Sequence, residues 1–462
     1  MKEYKQLKIT IIGAGSTCFC PATLADILLS DQLNSMQLEV CLMDIDAHAL
    51  EVSCRYAKHA VEISGRNVHL TATTDLDEAL TNMDFAIIAI ETDRYHYWSM
   101  DFHIPRRYGF RQVYGENGGP GGMFHTLRNL PPILHIAQRM EVLCPDAWLI
   151  NYTNPEAKLV EAVCRLTKIK AVGVCHGYGI GVDQVARILK IPKEELDITG
   201  YGLNHFGWYT SITRKSTGED LYPLLKERES DCHWLANWDE IGLSRMMFRT
   251  YGLYPYPGTN HIGEYIAWSD EFLASTKIQY FFDPVREKPW QTKKPPRFVY
   301  DFSSNPTAID LHDRDRDKEE EYEDVFSIRD ITLTPSQEYG VSIIEAIVFD
   351  LDRYIPSLNM PNKGSIPGIM EDMCVEGPCI VNRNGVLPVK VDALPTAITA
   401  MINQQGVIHR LVIEAYTEKS RNKLLQAMLL DPTISNYNNA VQLIDEMCER
   451  QKEILPEMFW QL

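Results

Sequence analysis

The chain has 462 residues, 45% hydrophobic and 23% charged, which is typical of a globular protein with two large domains or one elaborated domain. Its 45 basic and 63 acidic residues give a net charge of −18, which argues against nucleic acid and anionic membranes as partners. No apolar leader or membrane-length apolar stretch is found, and eleven cysteines are scattered along the chain, so we expect a cytoplasmic protein.

The first 200 residues alternate short apolar runs with helix-like segments. This alternation, with β-branched residues in the apolar runs, predicts an α/β fold in which helices cover both faces of a Rossmann-like parallel sheet. We therefore assign residues 1–200 to a first domain. Strands are predicted over residues 7–12, 38–44, 85–90, 147–151 and 171–174, and helices over residues 21–30 and 49–63.

The pattern loosens in the second half, and residues 201–462 are predicted to form an α+β domain that packs intimately on the first. Residues 362–388 are rich in turn-forming residues, and the charged run at residues 313–324 is predicted to be a solvated helix or loop. Helices are predicted over residues 337–353, 397–430 (as one or two helices) and 437–454.

The first predicted strand runs directly into the sequence Gly-Ala-Gly-Ser-Thr-Cys. Gly13 permits a tight turn, Gly15 lets a pyrophosphate approach the backbone, and Ser16 and Thr17 lead into a helix whose first N–H groups are free. Cys18 stands where the usual pattern has a third glycine, a position that mainly concerns helix–strand packing. The loop predicts a dinucleotide site in the first domain.

The second predicted strand ends at Asp44. An acidic residue at this place accepts hydrogen bonds from the ribose hydroxyls, which favours NAD over NADP. A glycine-rich turn in another doubly wound fold is the alternative interpretation.

Polar segments follow two later strands, at residues 151–155 and 173–177, and a third lies at residues 202–208. The carboxyl ends of parallel strands are where ligands bind in open α/β sheets. Cys175 as a thiolate and His205 as an imidazole could bind a borderline divalent metal. A buried thiol and a core histidine are the alternative at these two positions.

The motifs GAGST, LMDID, NYTNP, VCHG, GLNHFGW and EAYTEKSRNKLLQAMLLDP occur in this order along the chain. With them the chain resembles family 4 of the glycoside hydrolases, from about residue 8 to the final helices. The resemblance implies NAD and a divalent metal, usually Mn²⁺, and cleavage of a small carbohydrate by elimination. In that reaction a hydride leaves sugar C3 and later returns, while a base removes the C2 proton. The resemblance also implies a homodimer or homotetramer.

The resemblance assigns roles to the polar segments. It implies that Cys175 and His205 are the metal ligands and places the metal and substrate in the second domain. Asn154 is the implied contact to a sugar hydroxyl, and Asn151 is a weaker candidate for such a contact.

The general base is implied to lie in the segment at residues 258–265. Tyr265 is the first candidate, because a phenol beside a metal can have a lowered pKa and accept a proton. His261 is the second candidate, and a packed aromatic residue is the alternative role for Tyr265.

His176 follows the metal cysteine, where members of the family that act on phosphorylated sugars carry Asp or Asn as the acid or a substrate contact. We assign His176 a catalytic role here. The Cys-His-Gly sequence resembles members acting on unphosphorylated α-galacturonides or α-glucuronides. An α-galactosidase or α-glucosidase of the same family is the alternative, and dehydrogenases of the lactate and malate type and non-enzymatic NAD sensors are alternatives of other classes.

A uronate substrate needs a cation for its carboxylate. The glycine-rich stretch at residues 114–122 permits close approach of the backbone to a ligand, so Glu116 and Asn117 are further candidate substrate contacts. A mobile loop without contacts is the alternative. The candidate cations for the carboxylate of a uronate are Arg94, Arg107, Arg111 and Arg128.

Overall fold

The computed structural model describes residues 4–231, 238–272, 326 and 331–455. The predicted solvated run at residues 313–324 lies outside these described residues. Within them, one twelve-stranded sheet runs through the molecule, and helices cover it.

The first half of the chain is a parallel sheet with helical connections. Its strand order is β3-β2-β1-β4-β5-β6, the order of a dinucleotide-binding Rossmann sheet, so the predicted fold class is confirmed. The elements are β1 (Gln6–Ile12), α1 (Cys20–Leu29), β2 (Gln37–Met43), α2 (Ala47–Ser64), β3 (Val68–Thr73), α3 (Leu76–Leu80), β4 (Phe85–Ile88), α4 (Arg94–Arg107), α5 (Gly119–Leu143), β5 (Trp148–Asn151), α6 (Glu156–Leu166), β6 (Lys170–Gly173) and α7 (Gly177–Leu189).

The second half extends the same sheet with antiparallel strands. From β6 the order continues β10-β11-β7-β8-β9, and β12 pairs with β11. The elements are β7 (Leu196–Leu203), β8 (Phe206–Arg214), α8 (Tyr222–Asp231), α9 (Trp238–Tyr251), β9 (Tyr254–Tyr256), α10 (Thr259–Gly263), α11 (Gly340–Phe349), β10 (Arg353–Pro361), β11 (Cys374–Asn382), β12 (Gly385–Pro388), α12 (Thr396–Thr417), α13 (Arg421–Leu430) and α14 (Tyr437–Arg450).

The helices begin and end where short-range chemistry favours it. Helix α2 begins after Asp46, whose carboxylate accepts hydrogen bonds from His48 N and Ala49 N, and it ends at Gly65 in the left-handed conformation. The predicted long helix at residues 397–430 is two helices, because Ser420 caps α13 by accepting from Lys423 N.

The turn-rich stretch at residues 362–388 also contains β11 and β12, since the buried Val375, Cys379 and Val381 lie on either side of a Gly-Pro pair. The helix expected over residues 337–353 is shorter and ends at Asp350, whose φ of 58° stops it before β10. The domain boundary near residue 200 falls within β7 and stays a prediction. Among the described residues, the structure has no helix long and apolar enough to cross a membrane.

Candidate active site

The loop after β1 is shaped for a close approach of another group to the backbone. Gly13 has a φ of 87°, and a Cβ there would lie 2.2 Å from the carbonyl oxygen of Ala89. Only glycine fits this position without displacing the end of β4. Helix α1 begins directly after this loop, and its N-cap residue Phe19 gives it no side-chain cap.

Asp44 ties this loop to the end of β2. Its Oδ2 accepts a hydrogen bond from Gly15 N at 2.8 Å, and its Oδ1 accepts one from Asp46 N at 2.9 Å. Ser16 Oγ accepts from Phe19 N at 3.2 Å, and Thr17 is half-buried beside it. The loop is therefore held in the conformation that the sequence predicted, with an acidic group beside it.

A second group of side chains forms a cluster of candidate metal ligands. Glu116, His205 and His261 each offer one ligand atom, and these three atoms lie within 4.8 Å of one another. The imidazole rings of His205 and His261 meet edge to face with centroids 4.4 Å apart. Glu116 and His205 are each only 3% exposed, whereas His261 is half-buried at the edge of the cluster.

Three separate elements bring this cluster together. Glu116 precedes α5, and His261 lies in α10. His205 lies in the two-residue turn between β7 and β8, where its φ of 62° places it in the left-handed region. This turn aims the imidazole away from the strands and toward the glycine-rich stretch.

The charges in the cluster suit a divalent cation. Burial lowers the pKa of His205 to about 4 and that of His261 to about 3, so both imidazoles are neutral near pH 7. Burial raises the pKa of Glu116, but the Arg94 guanidinium and the neighbouring histidines together outweigh it and hold the pKa at about 2. One carboxylate and two neutral imidazoles are the forms in which these residues bind metals.

Glu116 is held in place by Arg94 of α4 and His125 of α5, which both also contact Glu91. Arg94 Nη2 donates to its Oε1 at 2.5 Å, and Arg94 Nη1 lies 3.7 Å from Glu91 Oε2. His125 bridges the same two acidic residues, since its Nδ1 lies 2.8 Å from the Glu116 carbonyl and its Nε2 lies 2.8 Å from Glu91 Oε2. The carboxylate is thus anchored at both its side chain and its backbone.

The predicted ligand Cys175 lies after β6 but is not a member of the three-residue cluster. Its Sγ accepts a hydrogen bond from Gly177 N at 3.4 Å and another from the side chain of Asn204, the residue before His205. Burial and nearby carboxylates raise the pKa of this thiol well above its usual value. Cys175 therefore remains a predicted ligand, linked to His205 through Asn204.

His176 faces the same region. Its Nδ1 lies 2.9 Å from Glu338 Oε1, its side chain is 41% exposed, and its charge contributes to lowering the pKa of both cluster histidines. The structure therefore places this predicted catalytic residue beside the cluster with a carboxylate partner.

The two predicted sugar contacts after β5 differ in their surroundings. Asn151 is 1% exposed, and both atoms of its amide bond the backbone of Thr153. These bonds shape the turn after β5, and the substrate contact at Asn151 stays a prediction. Asn154 is half-buried, and its carbonyl accepts from Asn129 Nδ2 at 2.7 Å, so its side chain remains a predicted contact.

Asn117 and Tyr265 contact protein groups around the cluster. Asn117 Nδ2 lies 3.0 Å from His205 Nδ1, so this predicted substrate contact touches a candidate metal ligand. The Tyr265 hydroxyl donates to the Asn204 carbonyl at 3.3 Å, and its ring packs on Phe206. Burial and the neighbouring Glu264 carboxyl raise the Tyr265 pKa well above its usual value, opposite to the shift expected of a base.

Two buried charged residues beside the cluster were not singled out in the sequence. Glu264 is fully buried and accepts hydrogen bonds from the backbone of Glu116 and Asn117. Lys158 is 2% exposed and donates to the Asn117 carbonyl; burial lowers its pKa to about 8. Glu264 could have been singled out from its place next to Tyr265, a candidate base. Its contacts with residues 116 and 117 are distant in the sequence, however, so the sequence alone does not reveal them.

The four arginines considered as cations for a uronate carboxylate differ in their ion-pair partners. Arg128 is buried in an ion pair with Asp101, with both side chains at most 2% exposed. Two others pair on the surface, Arg107 with Glu446 and Arg111 with Asp270. Arg94 is the one of the four that contacts the cluster, and it is 32% exposed.

The fold and this sheet edge define a class of enzyme in which a Rossmann-like sheet carries a buried metal-binding cluster beside its dinucleotide loop. The sequence pattern of the family 4 glycosyl hydrolases matches residues 8–191, and that of the family 4 glycosyl hydrolase C-terminal domain matches residues 200–434. The chain therefore belongs to the family 4 glycosyl hydrolases. This confirms the resemblance and shows that the alternative of a lactate- or malate-type dehydrogenase is wrong.

Relatives in this family match along almost the whole chain. An α-glucosidase of Erwinia rhapontici is 31% identical over 96% of this chain and 98% of its own length. An α-galacturonidase of Thermoanaerobacter italicus is 27% identical over 97% of each chain. A 6-phospho-α-glucosidase from gut microorganisms, solved with NAD and glucose-6-phosphate, superposes with a TM-score of 0.77 at 25% identity, covering 98% of this chain and 99% of that chain.

Proposed function

We propose that this glycosidase cleaves unphosphorylated α-glycosides of uronic acids, with α-galacturonides or α-glucuronides as substrates and with NAD⁺ and Mn²⁺ as cofactors. The observation that carries the proposal is that the candidate ligands Glu116 and His205 lie within 4.8 Å of each other and of His261, the proposed base, in a chain that also has a Rossmann loop. Hydrolysis without a redox step does not need a dinucleotide, so a dinucleotide loop together with a metal cluster favours a reaction that includes one.

The residues present fit both groups. A Cβ at Gly13 would collide with the backbone of Ala89, so the loop is kept free of side chains where a pyrophosphate would lie. In the metal cluster, Glu264 Oε2 is buried beside His205 without a hydrogen-bond partner among the described residues. Burial and the neighbouring Glu116 raise the pKa of the Glu264 carboxyl well above its usual value, so a cation bound beside it would stabilise its ionised form.

Bound NAD⁺ would supply reversible acceptance of a hydride from sugar C3, and a bound metal would supply polarisation of the C2 and C3 oxygens. His205 and Glu116 would hold that metal together with Cys175, the ligand implied by the family. His261 would accept the C2 proton on an imidazole nitrogen, because it is neutral and lies within 4.8 Å of both His205 and Glu116. His176, which is exposed and paired with Glu338, would give a proton to the leaving oxygen.

This proposal replaces Tyr265 by His261 as the base. The Tyr265 ring is 4% exposed and its hydroxyl is engaged by the Asn204 carbonyl, so it lies beneath the cluster rather than facing a substrate. A general base has to reach the proton that it removes, and geometry takes precedence over pKa in choosing it.

Two observations support a uronate as the sugar. His176 stands where the phospho-sugar members carry Asp or Asn, and Arg94 places a partly exposed guanidinium at the cluster. A guanidinium binds a carboxylate with two parallel hydrogen bonds. The Arg94 side chain would therefore contact the C6 carboxylate while remaining close to Glu116.

A panel of nitrophenyl glycosides tests the substrate class. With NAD⁺, Mn²⁺ and a thiol present, we expect α-galacturonide or α-glucuronide to be cleaved faster than α-galactoside, α-glucoside and their 6-phosphates. NADH should not accumulate, because the hydride returns to the sugar. Faster cleavage of a neutral α-glycoside would assign the enzyme to the alternative in the same family, and stoichiometric NADH would contradict hydrolysis by this route.

Replacing Asp44 with alanine is expected to weaken NAD⁺ binding about 10- to 100-fold, the effect of losing hydrogen bonds to a charged group. Asp44 both supports Gly15 N and lies where ribose hydroxyls are bound. NAD⁺ affinity can be measured by quenching of tryptophan fluorescence. The matched control is Asp46→Ala, which removes the exposed cap of α2, costs about 1 kcal/mol of stability and leaves NAD⁺ affinity unchanged. Equal NAD⁺ affinities for the two variants would remove Asp44 from the cofactor site.

A further inference from the structure

Residues 336–338, just before α11, link helix α1 to His176. Ser336 N donates a hydrogen bond to Asp26 Oδ1 at 2.7 Å, and the Ser336 hydroxyl donates another to Asp26 Oδ2. The same hydroxyl oxygen accepts from Glu338 N at 3.0 Å. Asp26 belongs to α1, the helix that follows the dinucleotide loop. The backbone of Glu338 is therefore fixed to the first half of the molecule through Ser336.

The side chain of Glu338 reaches from this anchored backbone to the imidazole of His176. Glu338 Oε1 lies 2.9 Å from His176 Nδ1, which is a normal hydrogen-bond distance. The Glu338 side chain is 9% exposed, whereas that of His176 is 41% exposed. Because a carboxylate only accepts hydrogen bonds, the ring donates its Nδ1–H. A buried carboxylate thus holds one nitrogen of a ring that is still open to solvent.

The contact with His176 is what the Glu338 side chain does in the protein. Glu338 Oε2 is buried and makes no hydrogen bond within the described part of the chain, so the bond to His176 is the one that this side chain makes there. A carboxyl group buried to this degree costs stability unless it is well bonded. Packing of the fold therefore does not account for a glutamate at this position, and a role towards His176 does.

We propose that Glu338 is the positioning residue for His176, which accepts its Nδ1–H and thereby presents Nε2 to the glycosidic oxygen of the substrate. This inference rests on the acid role of His176 in the proposed function. As the C2 proton is removed, the C2–H electron pair forms the C1–C2 double bond and the C1–O bond breaks with its pair on oxygen. The Nε2 proton of His176 goes to that oxygen, and Nε2 takes a proton back from the water that adds at C1.

Two substitutions at residue 338 separate positioning from a merely structural role. Glu338→Ala removes the acceptor for Nδ1–H, whereas Glu338→Gln keeps an oxygen that can accept it, so the glutamine should restore part of the function. The matched control is Glu345→Gln. Glu345 is a carboxylate of the neighbouring helix α11 that bonds Ser30 and Arg353 instead of His176.

The first readout is the dependence of kcat/KM on the leaving group, with NAD⁺, Mn²⁺ and a thiol present. The substrates are the nitrophenyl α-glycoside that the wild type cleaves fastest and the methyl α-glycoside of the same sugar, since methoxide needs a proton to leave far more than nitrophenolate does. We expect Glu338→Ala and His176→Gln to lower kcat/KM about 10²-fold or more for the methyl glycoside, and less than about 10-fold for the nitrophenyl glycoside. Glu338→Gln should lie between Glu338→Ala and the wild type, and Glu345→Gln should match the wild type.

The second readout needs neither cofactor nor turnover. Nitrogen-15 shifts of His176, assigned by their loss in His176→Gln, show which nitrogen carries the proton of the neutral ring. We expect protonation at Nδ1 in the wild type and a mixture of both tautomers in Glu338→Ala. Protonation at Nε2 in the wild type would overturn the inference.

The outcomes separate this inference from the proposed function. If His176→Gln lowers kcat/KM equally for both glycosides, His176 is not the acid, and that step of the proposed function is wrong together with the inference. If His176→Gln discriminates between the two glycosides and Glu338→Ala does not, only the inference is overturned. If Glu338→Ala fails to fold, Glu338→Gln and the nitrogen-15 shifts of the wild type decide in its place.

Discussion

Replacing His205 with asparagine is expected to abolish both the tight Mn²⁺ site and glycoside cleavage, with kcat/KM lowered by about 10³-fold or more. Loss of Lewis-acid stabilisation removes several kcal/mol from the stabilisation of the transition state, which corresponds to a change of this size. Asparagine is chosen because it tolerates the left-handed conformation of residue 205, where φ is 62°. The turn between β7 and β8 therefore persists, while the shorter side chain no longer reaches the cluster.

A Mn²⁺ titration of the purified enzyme, followed by electron paramagnetic resonance, measures this loss and separates the remaining ligands. The family implies Cys175, and the structure adds Glu116 within 4.8 Å of the His205 ligand atom. We expect Cys175→Ser and Glu116→Gln each to weaken Mn²⁺ binding, and Cys175→Ser to remove the thiolate charge-transfer band of the Co²⁺ enzyme. An unchanged Mn²⁺ affinity in either variant would remove that residue from the ligand set. Unchanged affinity in His205→Asn would contradict the site as a whole.

Much of the fold could be predicted because its signals are local. The run from β1 into Gly13 and Gly15 combines an apolar strand with residues that permit positive φ and close backbone approach, and these are properties of neighbouring residues. Asp44 could be predicted in the same way from its place at the end of β2. Helix α13 was harder to separate from α12, because its cap at Ser420 interrupts an otherwise continuous apolar period.

The cluster itself could not be predicted, because it depends on packing between distant segments. Glu116, His205 and His261 lie far apart in the sequence and on three elements, and nothing in their local spacing resembles a metal motif. Asn151 shows what local position leaves out. Its place at the carboxyl end of a strand predicts a ligand contact, and the structure adds that its amide bonds the backbone of Thr153.

The choice between His261 and Tyr265 also depends on tertiary structure. Both lie in one short segment and both carry groups that accept protons, so composition alone does not separate them. Packing does: the Tyr265 ring lies against Phe206, whereas the His261 ring lies against that of His205. In the proposed mechanism this packing favours His261 over Tyr265, and both roles stay predictions.

Replacing His261 with glutamine is expected to lower kcat by about 10²- to 10⁴-fold, the usual contribution of a general base, while the Mn²⁺ site is retained. The wild type, turning over in D₂O, should place deuterium at C2 of the product sugar, because removal of the C2 proton is followed by return of a solvent proton. The initial rate of this exchange, measured by mass spectrometry, should fall with kcat in His261→Gln.

Tyr265→Phe is the matched variant, since it removes only the hydroxyl that donates to the Asn204 carbonyl. It should retain most of the C2 exchange and of the Mn²⁺ affinity. If Tyr265→Phe loses exchange and His261→Gln keeps it, the phenol is the base after all. If His261→Gln loses Mn²⁺ binding as well, His261 is a metal ligand, since a base that only receives the C2 proton contributes nothing to holding the ion.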